Sequence, residues 1–322
     1  MLSRRSMLLA GGAVALTGLT GCNEKVQKVI GFGQRMIEIV KRHGGRVGVS
    51  CVMGNATIHS GLNIQSDDRF AMCSTFKWLL AAMILAQADQ GKLMLSQMVK
   101  YGQKDVLDYA PVTKVNVTKG EMSVVDLCAA AVEQSDNTAA NLLLGLIGGP
   151  AGLTGFIQSL GDTTTHLDRT EPSLNSNVDK DERDTTTPSS MAGLLQKVYT
   201  GSVLKPESLD KLKGWMVGCK TGANRIRAGV PAGYVVGDKT GTGDNGAVND
   251  VAVIWPPEGA QVKGPVFLAI YTSGGTLDAA GREKIIADTT RLVFDTITFA
   301  ETLDAEEASE SAAASLSESA SS

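Results

Sequence analysis

Histidine is scarce, the cysteines lack pair spacing, and long apolar runs are missing. The three histidines, His43, His59 and His166, lie far apart, and none of the five cysteines forms a Cys-x-x-Cys pair. A dedicated zinc or iron–sulfur site therefore has no ligand set, and no cofactor is expected. No uncharged apolar run reaches the roughly 18 residues of a spanning helix. Charge bias is lacking too. Thirty Lys and Arg against 34 Asp and Glu leave a net charge of −4, without the basic excess or stripe of a nucleic-acid binder. No internal repeat is present. What remains is 322 residues, 43% of them apolar. Such a chain can bury about 75% of its unfolded surface without metal or disulfide staples.

The two ends differ from the body. Arg4 and Arg5 precede an uncharged apolar stretch from Met7 to Leu19, which runs into Leu19-Thr20-Gly21-Cys22. The apolar core is too short to span a membrane, so residues 1–22 are expected to be an export signal. Its ending resembles a bacterial lipobox, in which Cys22 becomes the lipidated first residue. Ser3-Arg4-Arg5 resembles a twin-arginine address. The expected product is an exported protein of the bacterial envelope, membrane-bound only through Cys22 and otherwise monomeric. Residues 23–30 are expected as a linker and 31–300 as one catalytic body. Residues 301–322 hold six acids, no base and mostly Ala, Ser and Glu. They cannot bury enough apolar surface to offset ordering entropy and are expected to be disordered. Cys51, Cys73, Cys128 and Cys219 are expected as buried free thiols, although an exported chain could also form disulfides.

Within the body, Gly33 to His43 has helical spacing and stops at Gly44-Gly45. Arg46 to Met53 alternates as a strand, and Gly54-Asn55 turns it toward a second short strand, Thr57 to Leu62. Ser74 to Gln90 reads as a helix capped by Ser74 or Thr75. Helical patterns follow at Ser123–Gln134, Asn137–Ile147, Gly152–Leu160, Pro188–Tyr199 and Pro206–Val217. Between them lies a long polar segment, Asp162–Thr187. Strands return at Gly233–Thr240, Ala247–Trp255 and Pro265–Tyr271, and Asp278–Ile297 closes as an amphipathic helix. The fold class is thus α/β of the α+β type. One antiparallel sheet is flanked by the N- and C-terminal helices, and the middle helices form a second, all-α lobe. A site is expected between the lobes.

Four short elements carry candidate chemistry. In Ser74-Thr75-Phe76-Lys77 the i, i+3 spacing puts Lys77 within reach of the Ser74 hydroxyl. A buried lysine with a lowered pKa can activate such a serine. A second copy, Ser208 with Lys211, reads as an ordinary helix turn on a solvated face. Ser135-Asp136-Asn137 falls between two helices, where it could point into a cleft or merely cap a helix. Lys239-Thr240-Gly241 ends a β-rich run and could hold a substrate carboxylate. Its copy, Lys220-Thr221-Gly222, follows a helix and reads as structural. Glu171-Pro172-Ser173-Leu174-Asn175 lies in the polar segment, where Glu171 and Asn175 could hold a water. Arg169 and Asp184 flank it and could pair to close an Ω-like loop.

These elements, in this order, resemble the class A serine β-lactamases, whose signature comprises S-x-x-K, S-D-N and K-T-G. The resemblance spans roughly Arg35 to Val293. It extends to Arg69–Thr75 before the nucleophile, Asp181–Pro188 after the loop and Val236–Gly243 along the active-site strand. It implies β-lactam hydrolysis through an acyl-serine, with a small-molecule β-lactam as partner. Ser74 would be the nucleophile, and Lys77 or Glu171 the acylation base. Ser135 would pass a proton to the ring nitrogen. Asn137 would bind the side-chain amide and support Lys77. Lys239, Thr240, Gly241 and Thr242 would form the carboxylate-binding strand, with backbone N–H groups of Ser74 and Thr242 as oxyanion hole. Glu171 and Asn175 would hold the deacylating water, and Tyr109 would line the cleft. Where many relatives carry an Arg after K-T-G, this chain has Val248. Arg225 resembles the alternative arginine and is expected to face Lys239. The disulfide that some relatives form from the Cys128 position would find Ala81. The Cys tie of carbapenem-hydrolysing relatives would join Cys73 to Gly243, so efficient carbapenem hydrolysis is not implied. The competing readings are a penicillin-binding D,D-peptidase and a non-hydrolytic β-lactam sensor. Neither needs the Glu171/Asn175 water site.

Overall fold

A computed structural model describes residues 20–54 and 62–320, with side chains described from 31 to 302 within that range. In chain order the elements are α1 (Thr20–His43), β1 (Gly45–Met53), β2 (Phe70–Ala71), α2 (Phe76–Asp89), β3 (Met98–Lys100), α3 (Thr113–Asn116), β4 (Glu121–Ser123), α4 (Val124–Glu133), α5 (Asn137–Leu146) and α6 (Gly149–Ser159). Then come β5 (Thr185–Thr186), α7 (Pro188–Thr200), α8 (Pro206–Val217), α9 (Ile226–Gly229), β6 (Val235–Thr242), β7 (Val248–Trp255), β8 (Val266–Gly274) and α10 (Ala279–Ala320). Among the described residues no single helix is long and apolar enough to cross a membrane.

The main sheet has the order β1-β8-β7-β6, every neighbour antiparallel. Successive side chains of a strand point to opposite faces, and each face here has its own core. Val47, Val49, Leu268 and Ile270 pack with Met36, Ile285 and Leu292 of the terminal helices. Val251, Val253, Phe267 and Tyr271 alternate with them and pack on the helical lobe. Both faces being covered, β7 and β8 are buried nearly end to end. At the centre of the helical lobe stands α2, whose residues from Phe76 to Ala86 are all buried. The sheet built from chain-terminal strands, its helical cover and the separate α lobe all match the fold expected above.

Several boundaries differ. The segment before α2 is a 3-10 turn, Cys73–Thr75, and neither Ser74 nor Thr75 caps the helix. The Thr75 hydroxyl bonds the Met72 carbonyl and the Tyr271 hydroxyl instead. α6 begins at Gly149, earlier than expected, because Gly148 takes a left-handed φ of 84° and a proline stands in the first turn. β6 runs through Lys239-Thr240-Gly241 to Thr242 rather than ending there, since β7 pairs with it along that length. The second short strand falls mostly on residues 55–61, outside the described residues. In the main sheet β1 pairs with β8, and Val49 also makes one bridge to Ile64. Ser208 is not on a solvated face; it is buried and donates to Asp89.

The ends are corrected too. The expected linker at 23–30 lies inside α1, and the expected disorder from Glu301 is replaced by α10 running to Ala320. A composition too polar for a core can still favour helix, because Ala, Glu, Lys and Leu are strong helix formers. Residues 1–19 of the export signal lie outside the described residues, as does the side chain of Cys22. The four body cysteines are buried, and none forms a disulfide among the described residues.

Candidate active site

The cleft is assembled from four places in the chain, each held by a local device. Ser74 sits in the 3-10 turn ahead of α2, and Lys77 follows in the first turn of the helix. Asn249 on β7 donates to the Ala71 carbonyl at 2.9 Å and so backs the Ser74 turn from behind. Ser135 has a left-handed φ of 57° at the α4–α5 junction, which turns its side chain out of both helices. Asp136 fixes that junction. Its buried carboxylate accepts from the Ala139 amide at the start of α5 and from the Val112 and Thr113 amides and the Thr113 hydroxyl, all at about 2.9 Å. So it caps α5 and also ties the loop after Tyr109 to the cleft. The Asn137 amide donates to the Tyr109 carbonyl at 3.1 Å, and the Tyr109 side chain is exposed on the rim.

Glu171 is brought in by the 162–187 segment. Arg169 pairs with the buried Asp184, as expected, and Asp184 also accepts the Asp168 and Arg169 amides at 2.8 Å. Asn141 of α5 grips Glu171 from both sides: its Nδ2 donates to the Glu171 carbonyl at 2.9 Å, and its Oδ1 accepts the Glu171 amide at 3.0 Å. Asn141 was not among the expected residues. Its signal was present all the same, as a polar residue four positions after Asn137 on one face of an apolar helix.

The side chains form one connected network. The Ser74 hydroxyl donates to Glu171 Oε1 at 3.2 Å. Lys77 Nζ reaches the same oxygen at 2.9 Å, Asn137 Oδ1 at 2.6 Å and the Ser135 carbonyl at 2.9 Å. Lys77 therefore shares a face with Ser74 but does not bond its hydroxyl, as the spacing alone had allowed. Glu171 Oε1 is the common partner. Lys239 Nζ donates to Ser135 Oγ at 3.1 Å and to the Thr240 carbonyl at 2.8 Å. Asn175 Nδ2 donates to the other Glu171 oxygen, while Asn175 Oδ1 is buried with no protein partner.

Burial sets the electrostatics. It lowers the pKa of Lys77 against the opposing pull of Glu171, and it lowers that of Lys239 to about 8. Burial thus weakens the hold of both amines on their protons. The Cys73 thiol beside Ser74 is pushed up by its burial and stays protonated.

Arg225 is corrected in detail. Its guanidinium does not end on Lys239. It donates to Thr242 Oγ1 at 2.8 Å and to the carbonyls of Gly241 and Asn249 at 2.9 Å, and pairs with Glu283. Arg225 thus bonds Thr242 and the strand carbonyls, whereas Lys239 donates to Ser135. The structural copy Lys220-Thr221-Gly222 also lies close: the Thr221 and Thr240 hydroxyls are hydrogen-bonded. Thus Ser74, Lys77, Ser135, Asn137, Glu171, Asn175 and Lys239 meet in one network. Thr240, Gly241 and Thr242 line its edge strand.

Comparison with known proteins follows the same outline. The model of the Beta-lactamase enzyme family matches residues 32–297. Beta-lactamase OXY-2 of Klebsiella oxytoca is 41% identical over 260 residues, covering 81% of this chain and 87% of the relative. Beta-lactamase CTX-M-8 of Citrobacter amalonaticus is 39% identical over 292 residues, covering 91% and 97%. Among solved structures, an ancestral class A β-lactamase superposes with a TM-score of 0.78 at 48% identity, over 82% of this chain and 99% of the other.

Proposed function

We infer the chemistry of this cleft from one premise: the chain belongs to the beta-lactamase enzyme family, as a class A serine β-lactamase. It hydrolyses the amide bond of β-lactam antibiotics and thereby confers resistance to them. The residue roles that follow are our reading.

Ser74 Oγ attacks the lactam carbonyl carbon and its proton passes to Glu171 Oε1, toward which the hydroxyl already donates. The backbone N–H groups of Ser74 and Thr242 take the developing oxyanion. The C–N bond then breaks, and the ring nitrogen receives the Ser135 proton, which the Lys239 ammonium is placed to replace. Lys239, Thr240 and Thr242 hold the substrate carboxylate, with Arg225 behind Thr242. Asn137 serves the acyl side chain. For deacylation, Glu171 and the unpartnered Asn175 Oδ1 orient a water. It attacks the ester and gives its proton to Glu171, whose proton from acylation has by then passed through Lys77 toward the Ser135–Lys239 pair, and Glu171 returns the water's proton to Ser74 as it leaves.

The carrying observation is that Ser74 and Lys77 share one oxygen of a buried Glu171 whose other oxygen is held by Asn175. A peptidase or a sensor has no use for that arrangement. Many turnovers of a chromogenic cephalosporin per enzyme are expected. Stoichiometric acylation without turnover would overturn the reading.

Arg225→Ala should raise KM for penicillins about 10- to 100-fold, the loss expected from a charge-assisted hydrogen bond. An unchanged KM would detach Arg225 from carboxylate binding.

We also propose that the protein is exported, lipidated at Cys22 and monomeric. The support is the sequence Leu19-Thr20-Gly21-Cys22 after a short apolar core. Cys22→Ser should move activity from the membrane fraction to the soluble one; an unchanged distribution refutes the anchor.

A further inference from the structure

Two asparagines outside the catalytic network join two of its walls. Asn177 lies two residues beyond Asn175. Asn245 lies in the β6–β7 turn, three residues beyond Thr242. Asn177 Nδ2 donates to the Asn245 carbonyl at 2.9 Å, to the Asp244 carbonyl at 3.3 Å and to Ser273 Oγ at 3.1 Å. In return Asn245 Nδ2 donates to the Ser176 carbonyl at 3.0 Å and the Asn177 carbonyl at 3.3 Å. Each side chain thus grips the main chain of the opposite loop. Between them the Asp244 amide donates to the Asn175 carbonyl at 2.8 Å. Gly243 completes the closure, since a Cβ there would collide with that same carbonyl and with the Cys73 sulfur.

Both asparagines hold left-handed backbones, with φ of 41° and 47°. A residue with a side chain adopts that conformation at a cost, and asparagine tolerates it better than most. Left-handed backbone on both sides of the seam, with the amides crossing it, marks a built junction rather than chance contact.

We propose that Asn177 and Asn245 form a reciprocal amide clasp that positions Asn175 for deacylation and matters little for acylation. The asymmetry follows from what else holds each part. Glu171 is fixed independently to α5 through Asn141, and Ser74 through the start of α2. Asn175 has no such tie to the helical lobe. Among the described residues its side chain bonds within its own loop, to Glu171 and the Pro172 carbonyl, and its carbonyl rests on the Asp244 amide beside the clasp. Loosening the seam shifts Asn175 Oδ1, and with it the hydrolytic water, while the acylating groups stay in place. Asn177 and Asn245 are positioning residues, and their role rests on the hydrolase reading above.

The test is the double variant Asn177→Gly/Asn245→Gly in the full chain, since glycine keeps the left-handed backbone and removes both amides. With benzylpenicillin, kcat should fall about tenfold or more, with kcat/KM held within about threefold, so kcat and KM fall together. Intact mass during turnover should then show accumulated acyl-enzyme. Equal losses in kcat and kcat/KM, or no loss in either, overturn the clasp. Asn245→Asp keeps the shape and removes both donors, so it gives the same split if the glycine variant melts early. A wild type that acylates once and stops refutes the hydrolase reading instead, and rapid wild-type turnover separates the two failures.

Discussion

Glu171→Gln should stop the cycle at the acyl-enzyme. The amide nearly preserves the shape and can still meet Asn175, but it cannot accept a proton from water. General-base catalysis contributes about 10²–10⁴-fold, so deacylation should slow by about 10³-fold. Acylation should suffer less, because burial lowers the pKa of Lys77 and the substitution removes the Glu171 charge that opposes that shift, leaving Lys77 as the second base for the serine proton. The balance is checked by mixing the variant with a penicillin: one equivalent bound by intact mass within seconds, and release over hours. If the variant forms no adduct, Glu171 is needed for acylation and Lys77 does not substitute. If it turns over normally, the water is activated elsewhere.

Lys77→Ala should injure both activity and stability. Nucleophile and base act as a unit, and loss of either commonly costs about 10⁴–10⁶ in kcat. The stability loss has a separate cause. Lys77 and Glu171 are fully buried at 2.9 Å. Removing one partner strands the other charge in a dry site, at about 3–5 kcal/mol. The Asn137 oxygen and the Ser135 carbonyl lose their donor as well. Adding Glu171→Gln to Lys77→Ala should therefore return much of the lost stability without returning activity. Urea denaturation of the two single variants and the double variant measures that coupling. Purely additive losses would mean the pair is not held as two charges. Arginine should not rescue, because its planar fork cannot replace a compact ammonium among three acceptors.

The elements that meet in the cleft were legible because each is a short local pattern. Ser74 and Lys77 share a helix face, Ser135-Asp136-Asn137 sits at a helix junction, and Lys239-Thr240-Gly241 lies on an apolar strand. The alternation of β7 and β8 and the helical spacing of the middle segment gave the two-lobed layout for the same reason. What escaped the sequence is tertiary. Arg225 was assigned to the right strand but the wrong residue, because the partner its guanidinium meets on β6 is set by tertiary packing. The common oxygen of Glu171, the two-sided grip of Asn141 and the Asn177–Asn245 clasp each join residues with no local pattern between them. The tail misled because polarity was read as disorder, whereas Ala and Glu also favour helix.

The sheet order has a consequence for how the protein is made. β1 is synthesised first among the sheet strands, yet its sheet partner is β8, with Gly45 opposite Gly274. A nascent chain therefore carries an unmatched strand until nearly the whole body has left the ribosome. Pairings so distant in sequence slow folding, because the loop must close before the contact rewards it. The helical lobe, built from consecutive segments, can gather first and wait. Ser74 and Lys77 belong to the earlier part of the chain and Lys239 to the later, so the site is complete only once β6 has docked against the helical lobe.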